Sequence, residues 1–449
     1  MVIGNLQNVF TFCVFFGVIL AIAFDAIDMV LAAFLGVSLL IVAGDFTFDD
    51  VLNITRMANG PIALLFGGML VARTLMPTGI FDWIGTHFLI LTRGSGKRFL
   101  LGLIVLVAPL CAILPNATTV ILLAPVIIRV AQALEVDFIG PMVLTAIISN
   151  SAGLLTLVGD PATFLVGSTI GMTFVAYLQK VSLGGLLSIL VIIPFMPWLM
   201  KDIWKVRRQL PENLKPEPLK RPWFCAVALS VLAVMVLLFL FGESIPRPIV
   251  PPAVAIVGAT LALLVTYGYK VEPIEAVIKD VDWRTLLFLM CLFSLVAAIN
   301  KTGVLQSVSQ NLFAWFGRDL VAVGMVMLAG VGVASGFLAN IPIVAVMLVM
   351  VKGYLVTAEW VPEIAMAPSF SDWPPQVLPV FVAMMFGATL GGNATLIGAS
   401  ANVVSVGICA SHGKQVSFMT FMRYGLPVMA AQLAVSAVYV LVLFYFSDS

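Results

Sequence analysis

The residues whose types and spacing could do chemistry are small and polar, and they occur twice inside long apolar stretches. The run TLVGDPAT at residues 156–163 returns as TLIGASAN at residues 395–402. Gly, Pro, Thr, Ser and Asn interrupt a helix, and hydrocarbon tolerates the exposed backbone only where protein or a water-filled cavity receives it. Two interrupted segments in matching positions of two halves indicate a binding site of the kind found in secondary transporters.

Two further polar tips, Pro115-Asn116 and Asn340-Ile341-Pro342, interrupt other apolar runs. Amides and hydroxyls offer both donors and acceptors, half-helix N-termini suit an anion, and unwound carbonyls suit a sodium ion. The alternative is that small polar residues only allow close helix packing. We predict substrate or ion contacts for Asn116, Thr118, Thr119, Asn150, Ser151, Thr156, Gly159, Asp160, Asn340, Gly392, Asn393, Thr395, Gly398, Ser400 and Asn402.

Asp160 is the only acid in these four elements away from the membrane interfaces. An ionisable residue inside a membrane indicates function. Asp160 could bind a cation, carry a proton, or cap the half-helix that follows it by accepting its N–H groups. The sequence leaves these three roles open.

Composition sets the class of protein. Of 449 residues, 61% are hydrophobic and 10% charged, with mean hydropathy +1.13, whereas a soluble domain carries about 25% charged residues. The chain is predicted to be an all-α polytopic membrane protein, in the simplest case in the bacterial inner membrane. A net charge of +1 argues against a nucleic-acid partner. Without paired acids, clustered metal ligands or a nucleophile–base pair, we expect no enzyme, no metal site and no cofactor beyond a coupling sodium ion or proton.

Hydropathy divides the chain into two repeats, each with five crossings and one re-entrant hairpin. The hairpin arms are roughly 15 residues long, shorter than the ~20 that a crossing needs; two short tilted spans each are the alternative. The predicted domains are the first repeat 1–200 (hairpin 99–133, broken helix 139–179), a basic linker 201–221, and the second repeat 222–449 (hairpin 321–354, broken helix 376–411). The positive-inside rule places the linker in the cytoplasm and the acidic loop 45–50 outside. Because each half has an odd number of crossings, the second repeat is predicted to lie inverted in the membrane relative to the first.

Internal similarity supports the duplication. Thr78-Gly79 and Thr302-Gly303 are 224 residues apart, as are Asn116 and Asn340. The broken helices match at an offset of 239, and the MTF runs at residues 172 and 419 match at 247. Four matches in the same order indicate a repeat, with an insertion in the loop 357–376.

The runs LPNATTVILLAPV at 114–126, VGDPA at 158–162 and LGGNATLIGASANVV at 390–404 resemble the ion transporter superfamily. The most similar branch holds the arsenite-efflux pumps, the sodium–proton antiporters of the D type and the P protein; divalent-anion:sodium symporters and citrate transporters are wider relatives. The resemblance implies inverted repeats, a homodimer, and elevator-like movement of the hairpins and broken helices. Many members carry Asp before the tip Asn, where this chain has Pro115 and Ala339.

The loss of these two carboxylates favours an anionic or neutral substrate over a site for several cations. The sequence thus predicts a secondary active transporter for a small anion, coupled to sodium, protons or membrane potential. A sodium–proton antiporter that uses Asp160 as its carrier and a passive anion channel on the same scaffold are the alternatives.

Overall fold

The computed structural model describes residues 2–447 apart from 24–25, 28, 44–47, 210–217, 368–369 and 371. At residues 2–7, 23, 48–59, 300 and 304 it describes the backbone but not the side chains. Residues 45–47 of the acidic loop and 210–217 of the linker therefore lie outside the described residues. Every regular element of the described chain is a helix. Within the described residues, seven helices are long and apolar enough to cross a membrane, or eight if one bent pair forms a single span. The chain is an all-helical polytopic membrane protein.

The described helices fall before and after the linker. Those of the first half are α1 Val2–Ala23, α2 Met29–Val42, α3 Phe48–Leu75, α4 Ile80–Thr92, α5 Gly96–Cys111, α6 Asn116–Ala133, α7 Ile139–Ala152, α8 Pro161–Thr169, α9 Phe174–Lys180, α10 Ser182–Leu190, α11 Met196–Leu199 and α12 Lys201–Trp204. Those of the second half are α13 Pro222–Phe241, α14 Pro251–Gly268, α15 Ile274–Lys279, α16 Trp283–Lys301, α17 Val304–Phe316, α18 Leu320–Ser335, α19 Asn340–Thr357, α20 Leu378–Gly391, α21 Ser400–Ser411 and α22 Phe418–Ser447.

The helix bounds repeat with the offsets that the sequence shows. Helices α4, α5 and α6 begin at residues 80, 96 and 116, and α17, α18 and α19 begin at 304, 320 and 340, each 224 residues later. Helices α7 and α8 begin at 139 and 161, and α20 and α21 at 378 and 400, each 239 residues later. The two halves therefore have the same order of elements around the same polar interruptions.

Each hairpin tip rests on the break in the broken helix of its own half. The tips are residues 112–115 and 336–339, and the breaks are 153–160 and 392–399. Thr156 Oγ1 donates to Ala112 O, and Thr395 Oγ1 makes the equivalent bond to Gly336 O. These bonds satisfy carbonyls that the ends of α5 and α18 leave unpaired.

Long-range ion pairs gather at one end of the helix bundle, which we call the basic end. Lys220 Nζ lies 3.2 Å from Asp82 Oδ2, Arg208 lies 3.0 Å from Glu135, and Lys414 lies 3.5 Å from Asp137. Both ends of the first hairpin lie at the basic end. Gly96 N, at the start of α5, donates to Val206 O of the linker, and Glu135 lies just beyond the end of α6.

Other contacts define the opposite end. Phe174 N donates to Glu243 at 2.8 Å, and Trp373 Nε1 donates to Thr169 O at 2.9 Å. The 20 residues of α13 separate Lys220 from Glu243, about 30 Å at 1.5 Å per residue. Lys352, near the end of α19, lies under the Trp373 ring. The second hairpin thus starts from the opposite end, and the two halves are inverted.

The structure differs from the predicted bounds of the first broken helix. Its second arm ends at Thr169 rather than at 179, because Gly171 adopts φ +66° and α9 is bent by 101° from α8. Residues 182–199, which together are long and apolar enough for one span, contain α10, a 3₁₀ turn at Ile193–Phe195, and α11. Pro194 and Pro197 lack the N–H groups that a continuous helix requires.

Candidate functional site

A buried cluster forms where the first hairpin tip meets the first break. Asn116 Nδ2 donates to Asp160 Oδ2 at 3.1 Å, and Ala162 N donates to Asp160 Oδ1 at 2.8 Å. Asp160 is therefore the N-cap of α8 as well as a partner of the hairpin. Ser149 Oγ donates to Asn116 O at 3.2 Å, which ties α7 to the start of α6.

Three oxygens around this cluster are buried without a protein partner: Asn116 Oδ1, Thr119 Oγ1 and Thr163 Oγ1. Thr119 follows Asn116 by one helical turn, and Thr163 lies in the first turn after Asp160. An amide oxygen, two hydroxyls and a carboxylate are hard oxygen ligands of the kind that sodium binds. The first tip therefore has the donor set of a small-cation site.

The second hairpin tip lacks that donor set. When the Asn340 amide is oriented with Nδ2 toward these acceptors, Nδ2 lies 2.9 Å from Ser335 Oγ, 3.1 Å from Ala388 O and 3.0 Å from Gly398 O, and its two N–H groups can donate to two of them at once. The position equivalent to Asp160 is Ala399, which has no side-chain oxygen to cap α21. The N-terminus of α21 therefore has no carboxylate cap, and Ser400, the first residue of that helix, is exposed.

A third set of polar side chains, which we call the central amide cluster, joins the two broken helices. Its members are Asn150, Ser151, Asn393, Asn402 and Gln432, and each is at most 1% exposed. Asn150 Nδ2 donates to Asn393 Oδ1 at 3.0 Å and to Asn402 Oδ1 at 2.9 Å. Asn393 Nδ2 donates to Ser151 Oγ at 3.1 Å and to Gln432 Oε1 at 2.8 Å. The cluster crosses from one half of the chain to the other.

Comparison with known proteins assigns this architecture to a family. The family model described as "Citrate transporter" matches residues 19–371. The chain belongs to the citrate transporter family. An uncharacterized transporter of Synechocystis sp. is 42% identical over 98% of each chain, and another of Mycobacterium tuberculosis is 30% identical over 96% of this chain and 98% of that one.

Two other similarities extend the comparison. The human P protein is 26% identical over 95% of this chain and 59% of its own length, which confirms the predicted resemblance. The crystal structure of the YdaH transporter of Alcanivorax borkumensis has a TM-score of 0.57 at 13% identity, over 89% of this chain and 88% of that chain, and supports the fold. The relatives are transporters rather than enzymes, and a plasma-membrane location fits the bacterial members.

In this member of the citrate transporter family, most predicted site residues lie in the three clusters. Glycines permit the closeness of the breaks: a Cβ on Gly159 would lie 2.8 Å from Gly153 O, and one on Gly398 would lie 2.5 Å from Gly392 O. Asn402 Nδ2 donates to Gly392 O and to Thr395 O, both at 2.8 Å. Thr118 is only half-buried, one residue before Thr119.

The sequence reasoning missed two residues that the structure places at important positions. Gln432 of α22 completes the central amide cluster. Lys352 of α19 is 7% exposed and donates to Met366 O and Ala367 O, at the end of the 3₁₀ turn Glu363–Met366. A polar residue alone in an apolar span was the available signal in both cases, and it indicates a buried partner.

Proposed function

We propose that the chain is a secondary active transporter that moves a small anion, coupled to sodium, protons or membrane potential. The inverted repeats, 1–200 and 222–449, alternate access to the site by an elevator-like movement of the hairpins and broken helices. The functional unit is a homodimer in the bacterial inner membrane, with the basic end in the cytoplasm as the positive-inside rule requires.

The observation that carries this proposal is the unequal charge of the two tips. The first tip presents Asp160 and three unpartnered oxygens, which suit the coupling cation. The second tip has no carboxylate in the equivalent place and leaves the N-terminus of α21 uncapped by a side chain, which favours an anion through its N–H groups and helix dipole. In this proposal the first tip binds the coupling cation and the second tip binds the anion.

The family name supports a carboxylate as the anion. A carboxylate accepts hydrogen bonds from backbone N–H groups and hydroxyls without needing an arginine. The sequence also allows an inorganic anion or an oxyanion, so the substrate panel must include all three.

A second function, sodium–proton antiport, is favoured by one contact. Asp160 Oδ2 accepts from Asn116 Nδ2, so a charge at Asp160 is in direct contact with the hairpin that would move. Protonation of Asp160 would weaken that bond, because a neutral carboxyl is a poorer acceptor than a carboxylate. Proton binding and hairpin movement would then be linked.

The test is uptake of a panel of labelled anions by proteoliposomes, with and without sodium and pH gradients, while internal pH is recorded. We expect saturable anion flux that requires a gradient and is lost in Asn116→Ala and Asn393→Ala. Asn311→Ala, on the exposed face of α17, is the matched control and should transport normally. A sodium-dependent pH change that needs no anion would replace the proposal with antiport. A unitary conductance would instead indicate a channel.

A further inference from the structure

Gln432 connects the two broken helices although it belongs to neither. It lies on α22 and is fully buried. Its Oε1 accepts from Asn393 Nδ2 at 2.8 Å, and its Nε2 donates to Ser151 Oγ at 2.8 Å and to Ser188 O at 2.9 Å. Ser151 belongs to α7, Asn393 to the second break and Ser188 to α10. One carboxamide therefore joins elements from both halves.

Three amides of the central amide cluster are those of Asn393, Asn402 and Gln432. In each of them, both the side-chain oxygen and the side-chain nitrogen already have a protein partner. A substrate could bind these atoms only by displacing bonds between buried groups, which leaves the displaced groups unsatisfied. At the first tip, by contrast, three buried oxygens lack a protein partner. Ligand contacts are therefore better supplied by the tips, and the central cluster has a different task.

Helix α22 also contacts the second break through its backbone. Gly425 lies two helical turns before Gln432, and a Cβ there would lie 2.1 Å from Asn393 O. Only a glycine allows this approach. Gly425 and Gln432 lie on the same face of α22, so this helix contacts Asn393 through its backbone at Gly425 and through the Gln432 side chain.

We propose that Gln432 is a positioning residue that holds the two breaks in one register, so that both broken helices move as a single body. Its bonds lie inside that body and persist through the transport cycle. The inference rests on the proposed function only in that the chain transports an ion. It does not depend on which ion is transported.

The test compares Gln432→Met with Gln310→Met in the full chain in liposomes. Met has a similar length but cannot accept from Asn393 or donate to Ser188, and Gln310 is exposed on α17, outside the cluster. We expect Gln432→Met to lower the maximal rate per folded transporter about ten-fold or more, with KM changed less than about two-fold. Gln310→Met should match the parent. An unchanged maximal rate overturns the proposal, and so does a raised KM at unchanged rate, which would place Gln432 in contact with substrate.

Gln432→Glu gives a readout that a general loss of stability would not. When protonated, the Glu carboxyl can again donate to Ser151 and accept from Asn393; when ionised, it can no longer donate. The rate of this variant divided by that of the parent should therefore fall as pH rises, and a flat ratio contradicts the proposal.

Hydrogen exchange separates this proposal from the proposed function, because it needs no substrate. In Gln432→Met, exchange should increase together in the backbones of both breaks, 153–160 and 392–399, relative to Gln310→Met. Unchanged exchange at the breaks would overturn the positioning role even if the parent transports. Increased exchange in a chain without measurable ion flux would retain the positioning role and reject the proposed function.

Discussion

At the scale of single residues, Asp160 has two contacts that can be separated by mutation. Its Oδ1 caps α8 and its Oδ2 accepts from Asn116. Asp160→Asn keeps an oxygen for the cap but removes the charge, so we expect unchanged thermal stability and lost cation dependence. Asp160→Ala should also lose about 1 kcal/mol of unfolding free energy with the cap. Thermal unfolding and ion-dependent uptake measure the two effects. If the Asn variant keeps the parent's ion dependence, Asp160 is not part of the coupling site.

Thr119 allows a test of whether the unpartnered oxygens bind an ion. Its hydroxyl is buried without a protein partner, whereas the buried hydroxyl of Thr145 donates to Pro141 O at 2.7 Å. Val has the same shape without the hydroxyl. Thr119→Val should retain or raise stability by up to about 1 kcal/mol, because it removes an unsatisfied group, and should weaken the apparent affinity for the coupling cation. Thr145→Val should instead lower stability, because it removes the bond to Pro141 O, and should leave the cation affinity unchanged. Equal ion affinity in Thr119→Val and the parent would exclude this oxygen as a ligand.

At the scale of elements, glycine sets how closely α18 and α20 approach. A Cβ on Gly391 would lie 2.1 Å from Gly332 O, and backbone cannot move aside as a side chain can. Gly391→Ala should therefore lower the unfolding free energy by about 1–3 kcal/mol. Gly330, on α18, has nothing within 4 Å of its Cβ position, so Gly330→Ala should stabilise the helix by up to about 1 kcal/mol. Thermal denaturation in detergent compares them, and equal melting temperatures would contradict the close approach.

The elements that could be predicted are those whose signal is local. The predicted second repeat begins at residue 222, where α13 begins, because one continuous apolar run with Pro at its start determines a helix. The amphipathic helices α4 and α17 were not predicted. The buried residues Leu305, Ser309 and Leu312 of α17 have helical spacing, but a search for long apolar runs passes over so short a helix.

Which polar groups meet could be predicted only in part. The repeated motif placed Asn116 at a hairpin tip and Asp160 and Asn393 in the two broken helices, but it did not predict the bond between Asn116 and Asp160. It could not show that Asn150 bonds across to Asn402, or that Gln432 completes the cluster. Those contacts depend on how the two halves pack, and residues 252 or 281 positions apart in sequence leave no periodic signal in the chain. The ligand roles stay predictions.

At the scale of the whole molecule, contacts at the two ends fix the relation between the hairpins. The basic end holds the first hairpin through Arg208 and Glu135, and the opposite end holds the second through Lys352 and Trp373. In the proposed mechanism, an anion that reaches the two tips from opposite sides crosses by a displacement of the central body. We expect the central amide cluster to keep that body intact during the displacement.

If the second hairpin moves as proposed, an apolar crevice beside its tip is where we expect the displacement to occur. It lies between Ile19 of α1, Phe288 of α16 and the tip of the second hairpin at Phe337, Leu338 and Ala339. These side chains make apolar contacts without directional bonds, so they can slide past one another at low cost. In a background without the five native cysteines, a cross-linker between Ile19→Cys and Ala339→Cys should stop transport, and its cleavage should restore it.

The matched control is a disulfide inside the moving body. A Cβ on Gly324 of α18 would lie 3.9 Å from Ala383 Cβ of α20, which is within the range for a disulfide, and 2.9 Å from the Phe444 ring, which must move aside to admit it. The Gly324→Cys and Ala383→Cys pair should oxidise and still transport, because α18 and α20 move together. If the crevice cross-link leaves the rate unchanged, the hairpin does not move against α1, and alternating access must arise from a local opening of the tips. If both cross-links stop transport, α18 and α20 also move relative to each other, and a single rigid body is excluded.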